Sequence, residues 1–304
     1  MNSAIVPVRF IVGSRKLFEV PRRLQTVAFR LEELIAGTVP DFGPADPESD
    51  GYRVLSAPKG ELAAILARYP HHIMGGYQTY RRHYIDMASS YADYLGRFSG
   101  KTRSSLNRKR RKLAEQAGGT PDIEEFRAPE EVGRFLAEAI PLSRRTYQAR
   151  LLDAGLPEGE AAWEEMLALA AANRLRAYLL RLGGRAISYL FLPIQGETVC
   201  YAYLGYDPEF AQLSPGIVLQ LEALERLFEE RRYRYFDFTD GEGAHKAMFG
   251  TDAVSACSFF LLKPGAANRL LLRSLDSFDH GVSVTKRLAE RCGALAGARR
   301  ILRW

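Results

Sequence analysis

The residues best suited to chemistry in this sequence lie between residues 198 and 250, where a turn opens a helix and a carboxylate follows it. The turn consists of Ser214, Pro215, Gly216, Ile217 and Val218. The first backbone N–H groups of a helix have no partner within it and carry partial positive charge, so a phosphate binds well there. Because Ser-Pro-Gly also begins ordinary helices, a purely structural cap is the alternative interpretation.

Two titratable residues follow this helix. Asp237 lies in an apolar strand and is the first candidate for a general base or for a group that binds an amine. His245 is the second candidate, because a histidine exchanges a proton near neutral pH. Each has an alternative interpretation, since a buried Asp can accept backbone N–H groups at a strand end and a lone loop His is often incidental. A phosphate-binding turn beside a carboxylate is typical of acyl transfer from a phosphate-bearing carrier.

The sequence predicts the elements that position these residues. Residues 198–206 are β-branched and aromatic, which favours a strand, with Tyr201 and Tyr203 on one face. Apolar residues at helical spacing predict a helix from Ser214 to about Arg232. A second strand is predicted over residues 233–239.

Upstream, a hairpin is predicted over residues 175–194, with a tight turn at Gly183 and Gly184. Residues 91–117 predict one long helix or a pair broken near Gly100. The segment 101–112 holds seven Lys or Arg, which either face an anionic substrate, form a nucleic-acid patch or are simply solvated. Nearer the N-terminus, residues 25–35 predict a helix. At the other end of the sequence, residues 270–304 predict a basic helix that packs on the lobe, contacts a membrane surface or binds a partner, with packing as the default interpretation.

Composition limits the class of protein. The chain has 304 residues, 47% of them hydrophobic, and a net charge of +6, which suits one large or two medium globular domains that bind an anionic ligand. The three cysteines show neither metal-site spacing nor a disulfide framework, so we expect no metal. Cys200 and Cys257 lie in predicted strands, and we expect both to be buried packing residues. No segment resembles a signal peptide or a membrane span, so we expect a cytoplasmic protein.

Five short motifs in order resemble the GNAT acetyltransferases of the CelD type, linked to cellulose biosynthesis and related to the Fem peptidyltransferases. They are Gly184-Arg185-Ala186-Ile187, Gly205-Tyr206-Asp207-Pro208, Ser214-Pro215-Gly216, Phe236-Asp237-Phe238, and the loop with Lys246 and Phe249-Gly250. The resemblance covers roughly residues 100–255. It implies an α/β (α+β) fold of two GNAT-like lobes, the N-terminal one degenerate. The corresponding domains are residues 1–100, a catalytic lobe over 101–265 and a helical extension over 266–304.

The resemblance also implies roles. The donor is acetyl-CoA or another acyl-CoA, with its pyrophosphate at residues 214–218 and its pantetheine arm along the strand that carries Tyr203. Lys246 neutralises an anionic acceptor or developing charge. The residues implied to border the acceptor are Arg103, Arg145, Tyr147 and Tyr201, with Arg110 as a further basic candidate.

Three functions follow from this sequence. The first is an N-acyltransferase that acts on a small amine or amino sugar. The second is a Fem-like transferase that uses aminoacyl-tRNA, which the basic helix favours. The third is a non-catalytic accessory protein of polysaccharide synthesis. A homo-oligomer is compatible with all three.

Overall fold

The computed structural model describes residues 3–13, 15–44, 46–146, 155–241 and 243–291. Its strands are β1 (Ala4–Val12), β2 (Arg15–Ala28), β3 (Gly51–Pro58), β4 (Ile73–Asp86), β5 (Asp122–Phe126), β6 (Leu175–Leu182), β7 (Arg185–Gln195), β8 (Thr198–Cys200), β9 (Tyr203–Tyr206), β10 (Tyr235–Asp237) and β11 (Asp252–Leu262). Its helices are α1 (Leu31–Ala36), α2 (Leu62–Arg68), α3 (Tyr91–Gly96), α4 (Gly100–Ala117), α5 (Pro129–Arg145), α6 (Glu160–Ala171), α7 (Pro215–Glu230), α8 (Ala244–Phe249) and α9 (Ala266–Arg291). This mixture confirms the predicted α/β fold class.

The chain divides into two compact units. The first contains residues 1–82, 240–242 and 253–304, and the second contains residues 83–239 and 243–252. The division differs from the predicted limits at residues 100 and 265, because β11 pairs with β3 of the first unit. The GNAT-like character of the N-terminal lobe stays a prediction.

The first unit is built on strands in the order β1-β2-β3-β11 followed by the N-terminal part of β4. β1 and β2 are antiparallel, and β2 and β3 are parallel. One face carries an apolar cluster with α2, and the opposite face carries a cluster with Leu271, Leu272 and Leu275 of α9. The apolar spacing of α9 therefore serves packing, as predicted.

One helix of the first unit is shorter than predicted. Residues 25–28 belong to β2 and pair with β3, and the helix begins only at Leu31. Buried Gln25 and Val27 alternate there with exposed Thr26 and Ala28, which is the two-residue period of a strand. The prediction of a helix over residues 25–35 was therefore wrong in its first part.

The second unit contains the C-terminal part of β4 followed by β10, β8, β7, β6 and β5, while β9 also pairs with β7. One face packs against α5 and α6, and the other against α3, α4 and α7. β10 lies between antiparallel β4 and parallel β8, so it is central in this sheet.

Several local predictions are confirmed in this unit. The basic segment forms a broken helix pair, α3 and α4, with Ser99 capping the second helix and left-handed Gly118 ending it. The β6–β7 hairpin turns through Gly183 and Gly184, both with positive φ. Cys200 and, in the first unit, Cys257 are buried and form no disulfide among the described residues; Cys292 lies outside the described residues.

Candidate functional site

The central feature of the second unit is a strand that splits from its neighbour. Residues 198–206 form two strands, β8 and β9, rather than the single one predicted. β8 pairs in parallel with β10, and the pairing ends with the Tyr201 N–H donating to the Asp237 carbonyl at 2.8 Å. β9 then follows β7, with Leu190 opposite Leu204. Beyond Tyr201 the pairing with β10 ends, and among the described residues β9 pairs with β7 alone.

The break at residues 201–202 also changes which way the side chains point. Tyr201 packs against Phe236 and Phe238, with ring centroids 5.9 and 5.5 Å away, on the face that α7 covers. Tyr203 packs against Phe191 on the face that α5 covers. The expectation that Tyr201 and Tyr203 share a face was wrong, because an irregular pair of residues resets the alternation of a strand.

The predicted donor turn lies against β9. Gly216 is in the first turn of α7, and a Cβ there would lie 2.9 Å from Cδ2 of Leu204 and 3.4 Å from Cδ1 of Tyr206. An added Cβ would therefore require the Leu204 side chain to shift. Pro215 occupies the first helical position, where its missing N–H costs nothing.

Ser214 acts differently from a usual N-cap. Its φ is 54°, in the left-handed region, and its side chain makes no capping hydrogen bond. Its carbonyl instead accepts the N–H groups of Ile217 at 3.1 Å and Val218 at 3.2 Å. The predicted side-chain cap is therefore absent, although the predicted helix start is correct.

His245 lies in α8 within an aromatic pocket. Its ring centroid is 4.7 Å from that of Phe249, 6.2 Å from Tyr201 and 6.3 Å from Phe238. Burial, followed by the charges of Lys246 and Lys109, lowers the pKa of His245 to about 4. The ring is therefore neutral at physiological pH, and its unprotonated nitrogen can accept a hydrogen bond.

Gln220 holds this histidine and was missed by sequence reasoning. Its Oε1 lies 2.7 Å from Nε2 of His245, and its side chain is fully buried. The amide Nε2 of Gln220 has no hydrogen-bond partner among the described residues, which is costly for a buried donor. The signal was present, because Gln220 interrupts the apolar face that Ile217, Leu221 and Leu224 form.

Asp237 has a clear local role. It is fully buried, and its Oδ1 accepts the Thr239 N–H at 2.9 Å. That bond closes a turn in which Thr239 has a φ of 59°, a geometry typical of an Asx turn. These contacts agree with the alternative interpretation of Asp237 as a carboxylate that satisfies backbone donors.

The basic helix α4 divides into two sets of cations. Arg103 donates to the carbonyls of Gly96 and Phe98, both at 2.9 Å. Arg110 forms ion pairs with Glu222 and Glu225 of α7, at 3.0 and 2.8 Å. Both predicted arginines thus hold helices together.

The second set lies beside the turn. Lys112 Nζ donates to the Gln212 carbonyl at 3.1 Å, just before α7 begins. The positive charge of Lys109 contributes to the lowered pKa of His245. Lys101 and Arg108 are exposed on the same helix. The structure therefore brings Lys109 and Lys112, rather than Arg103 and Arg110, to the donor turn and His245.

The remaining predicted residues lie at the edges of this arrangement. Arg145 Nη1 is 3.3 Å from Oδ2 of Asp207, a buried carboxylate that Arg185 also contacts at 2.5 Å. Lys246 follows His245 in α8 and contributes its charge there. Tyr147 lies outside the described residues.

Neither a metal cluster nor a membrane span occurs in the described part of the chain. No group of three or more His, Cys, Asp or Glu residues is arranged to hold a metal ion in the described ranges. Within the same ranges, every helix is too short or too polar to cross a membrane.

Comparison with known proteins defines the class. Residues 100–247 match the family model described as acetyltransferase (GNAT) domain. That region runs from α4 into α8, so it includes the split strand, the turn before α7 and His245. Residues 100–247 therefore resemble an acetyltransferase (GNAT) domain, in agreement with the N-acyltransferase that the motifs predicted. No curated protein sequence matches the chain.

Particular solved structures resemble the chain at low identity. FemX is similar with a TM-score of 0.52 and 11% identity, over 86% of this chain and 89% of that one. The C-terminal domain of a putative lysylphosphatidylglycerol synthetase from Agrobacterium fabrum has a TM-score of 0.49 and 13% identity, over 74% and 71%. A GCN5-related N-acetyltransferase from Kribbella flavida has a TM-score of 0.37 and 14% identity, over 72% of each chain. The likeness to FemX is one of fold.

Proposed function

We propose that this protein transfers an acyl group, acetyl in the simplest case, from acyl-CoA to the amine of a small molecule or amino sugar. The observation that carries the proposal is the end of the pairing with β10 at Tyr201, which leaves β9 paired with β7 alone among the described residues, directly beside the first turn of α7. An unpaired strand edge offers backbone groups to an extended ligand. The adjacent helix start suits the phosphates of the same ligand.

In this proposal the donor lies along β9. The amides of the pantetheine arm pair with the backbone of residues 203–206, and the pyrophosphate lies at residues 214–218. Lys112 adds a positive charge there, since its Nζ already contacts Gln212. Gly216 keeps α7 close to β9, so a side chain at this position would disturb the donor site.

His245 takes the role of proton acceptor. The amine nitrogen bonds to the thioester carbon, and the C–S bond then breaks as coenzyme A leaves as a thiolate. The N–H becomes strongly acidic as the C–N bond forms and the C–S bond breaks, so its proton passes to the neutral ring of His245, which Gln220 orients, although burial lowers the pKa of that ring. We assign Tyr201 to the wall of the acceptor pocket because its ring faces His245. Asp237 supports the strand end.

Binding of acetyl-CoA and longer acyl-CoAs, measured by calorimetry and by thermal shift, tests the donor assignment. Lys112→Glu is expected to weaken binding about tenfold, because reversing a charge near a phosphate costs on the order of 1–2 kcal/mol at a protein surface. Arg111→Glu is the matched control: Arg111 is one residue away, and its side chain is 73% exposed. The control should bind within about twofold of the wild type. Absence of binding by every acyl-CoA would overturn the proposal.

A second candidate is transfer from aminoacyl-tRNA, as in the predicted Fem-like alternative. The observation in its favour is the line of exposed cations Lys101, Arg108 and Lys112 on α4. Phosphate contacts release counterions, so tRNA affinity should fall steeply with salt. Lys101→Glu with Arg108→Glu should then abolish tRNA binding and leave acyl-CoA binding intact. If tRNA does not bind at low salt, this candidate is excluded.

The CelD-type assignment, the cytoplasmic location and a homo-oligomer remain predictions from sequence. The acceptor experiment separates the branches most directly. Release of free coenzyme A thiol in the presence of a panel of amines and amino sugars identifies the acceptor. If only amino sugars stimulate release, the link to polysaccharide synthesis gains support; if none does, the small-amine proposal fails.

A further inference from the structure

A cavity of about 550 Å³ lies in the second unit, at the opposite end of α7 from the donor turn. Its lining comes from residues 87–91, where β4 leads into α3, and from residues between 227 and 233, where α7 ends. At roughly 1.5 Å per helical residue, Glu229 is about 20 Å along α7 from Gly216. The cavity is therefore separate from the donor site, and its volume is typical of small-molecule sites.

The floor of the cavity is apolar and aromatic. Met87, Leu227 and Phe228 line it and are each at most 7% exposed. Tyr91 also lines it, with its ring centroid 5.7 Å from that of Phe228. The Tyr91 hydroxyl already donates to the Leu221 carbonyl at 3.0 Å. The floor therefore suits an aromatic group, because aromatic rings pack favourably at such distances.

Two opposite charges, Glu229 and Arg231, line the same cavity. Both side chains are exposed, and neither forms an ion pair or a hydrogen bond with a described residue. Residues two apart at a helix end do not face each other, which explains why these two do not pair together. The cavity therefore offers a ligand one anionic and one cationic side chain beside an apolar floor.

Other charged side chains near the cavity already have partners. Arg110 pairs with Glu222 and Glu225, Glu230 pairs with Arg176 and Arg127, and Arg234 pairs with Asp86. Among the described residues that line the cavity, only Glu229 and Arg231 carry a charge. A ligand that meets both must itself carry both charges, because a single unmatched charge would leave one of them unsatisfied.

The backbone of Arg231 is held in an uncommon conformation. Its φ is 49°, in the left-handed region, and it directly follows α7. Glycine is the usual residue at such a position because it adopts positive φ without cost. Non-glycine residues in this conformation concentrate at binding sites, and the side chain of Arg231 lines the cavity.

We propose that this cavity binds a zwitterionic amino acid with an aromatic side chain. The planar guanidinium of Arg231 suits the two oxygens of the ligand carboxylate. The carboxylate of Glu229 binds the ligand ammonium group, and the aromatic ring lies on the floor that Phe228 and Tyr91 form. Because the cavity is about 20 Å from the donor turn, this amino acid is an additional ligand and not the acceptor of the proposed transfer.

Calorimetric titration of the full chain with L-phenylalanine tests the site. We expect saturable binding at millimolar or lower concentration. Three analogues each lack one of the recognised groups: 3-phenylpropionate lacks the ammonium, 2-phenylethylamine lacks the carboxylate and L-alanine lacks the ring. Each should bind at least tenfold more weakly than L-phenylalanine.

Two variants test the charges separately. Arg231→Gly should weaken L-phenylalanine binding at least tenfold and leave 2-phenylethylamine binding within twofold, because that analogue has no carboxylate. The same variant should raise the melting temperature, since glycine adopts positive φ freely, so the weaker binding does not come from unfolding. Glu229→Gln should weaken L-phenylalanine binding at least fivefold and leave 3-phenylpropionate binding within twofold.

Arg232→Gln is the matched control. Arg232 is exposed and adjacent to Arg231, but its guanidinium lies 5.7 Å from the Tyr233 ring centroid, and it is not among the described residues that line the cavity. This variant should bind L-phenylalanine within twofold of the wild type. Absence of saturable binding, equal affinity for the three analogues, or wild-type affinity in Arg231→Gly would overturn the proposal. The test uses no acyl-CoA, so its failure is separate from failure of the proposed transfer activity.

Discussion

Protonation of His245 should make the second unit lose stability in mild acid. Its pKa is about 4 in the folded protein, against an ordinary value of 6.5, because burial disfavours the charged ring. Below pH 6.5 the His245 ring binds a proton in the unfolded chain, whereas in the folded protein it stays neutral until about pH 4. Stability is therefore complete above pH 6.5 and falls as the pH drops through this window.

The size of the effect follows from that gap. At about 1.4 kcal/mol for each pKa unit, the whole gap corresponds to roughly 3 kcal/mol. Between pH 7.5 and pH 5 the loss is about 2 kcal/mol, because the folded ring is still neutral at pH 5 while the unfolded one is almost fully charged. This loss is a substantial fraction of the roughly 5–15 kcal/mol by which a typical domain is stable.

Urea unfolding of the wild type and of His245→Gln at both pH values measures this effect, with Trp163 as a fluorescent reporter in the second unit. Glutamine does not titrate and keeps a hydrogen-bonding group near Gln220. Other titrating groups, such as His72, whose pKa burial also lowers, cancel in the comparison. If both proteins lose the same stability, or if NMR shows His245 titrating near pH 6.5, the burial argument is refuted.

Three further outcomes are expected. Gly216→Val should cost about 1–3 kcal/mol by forcing α7 from β9, whereas Gly60→Val, where an added Cβ would meet no atom within 4 Å, should unfold within about 0.5 kcal/mol of the wild type. Arg176→Met should cost about 3–5 kcal/mol, because the buried Arg176–Glu230 pair at 2.7 Å loses one partner. Adding Glu230→Leu should recover only part of this loss, because Arg127 and Tyr233 also contact Glu230. Gln220→Leu removes both the bond to His245 and a buried amide Nε2 that has no partner among the described residues. Because these two changes oppose each other, stability should change by no more than about 1 kcal/mol while turnover falls at least tenfold; equal losses of folding and turnover would contradict a positioning role.

The periodic elements around the site were predictable because their cause is local. The helix after Ser214 has apolar residues at helical spacing, Pro215 at its first position and an observed range of Pro215–Glu230. The hairpin through Gly183 and Gly184 is likewise dictated by residues that tolerate positive φ. Such signals are contained in a few neighbouring residues.

Features that depend on distant partners were not predictable in the same way. The strand over residues 198–206 splits because β8 pairs with β10 whereas β9 pairs with β7. The local composition does not indicate that the paired strand changes within this segment, so Tyr201 and Tyr203 were assigned to one face. For the same reason Gln25 was assigned to a helix, although pairing with β3 keeps it in a strand.

The basic helix illustrates why charge alone does not identify a binding residue. Arg103 and Arg110 carry the same charge as Lys109 and Lys112, but the first two are committed to carbonyls and carboxylates of neighbouring helices. The helix period places the two sets on different sides of α4. Which side faces the donor turn is decided by the packing of α4 against α7, which only the structure supplies.

Gln220 and Asp237 show that sequence alone does not reveal why a polar residue is buried. Both are fully buried, and both are polar residues within apolar stretches of the sequence. Oδ1 of Asp237 accepts the Thr239 N–H, and this backbone hydrogen bond explains why a carboxylate is buried there. Oε1 of Gln220 lies within hydrogen-bond distance of His245, but the buried amide nitrogen of Gln220 has no partner among the described residues. A buried polar group whose local bonds do not account for it is the better guide to function, and here it supports the proposed role of His245 in proton transfer.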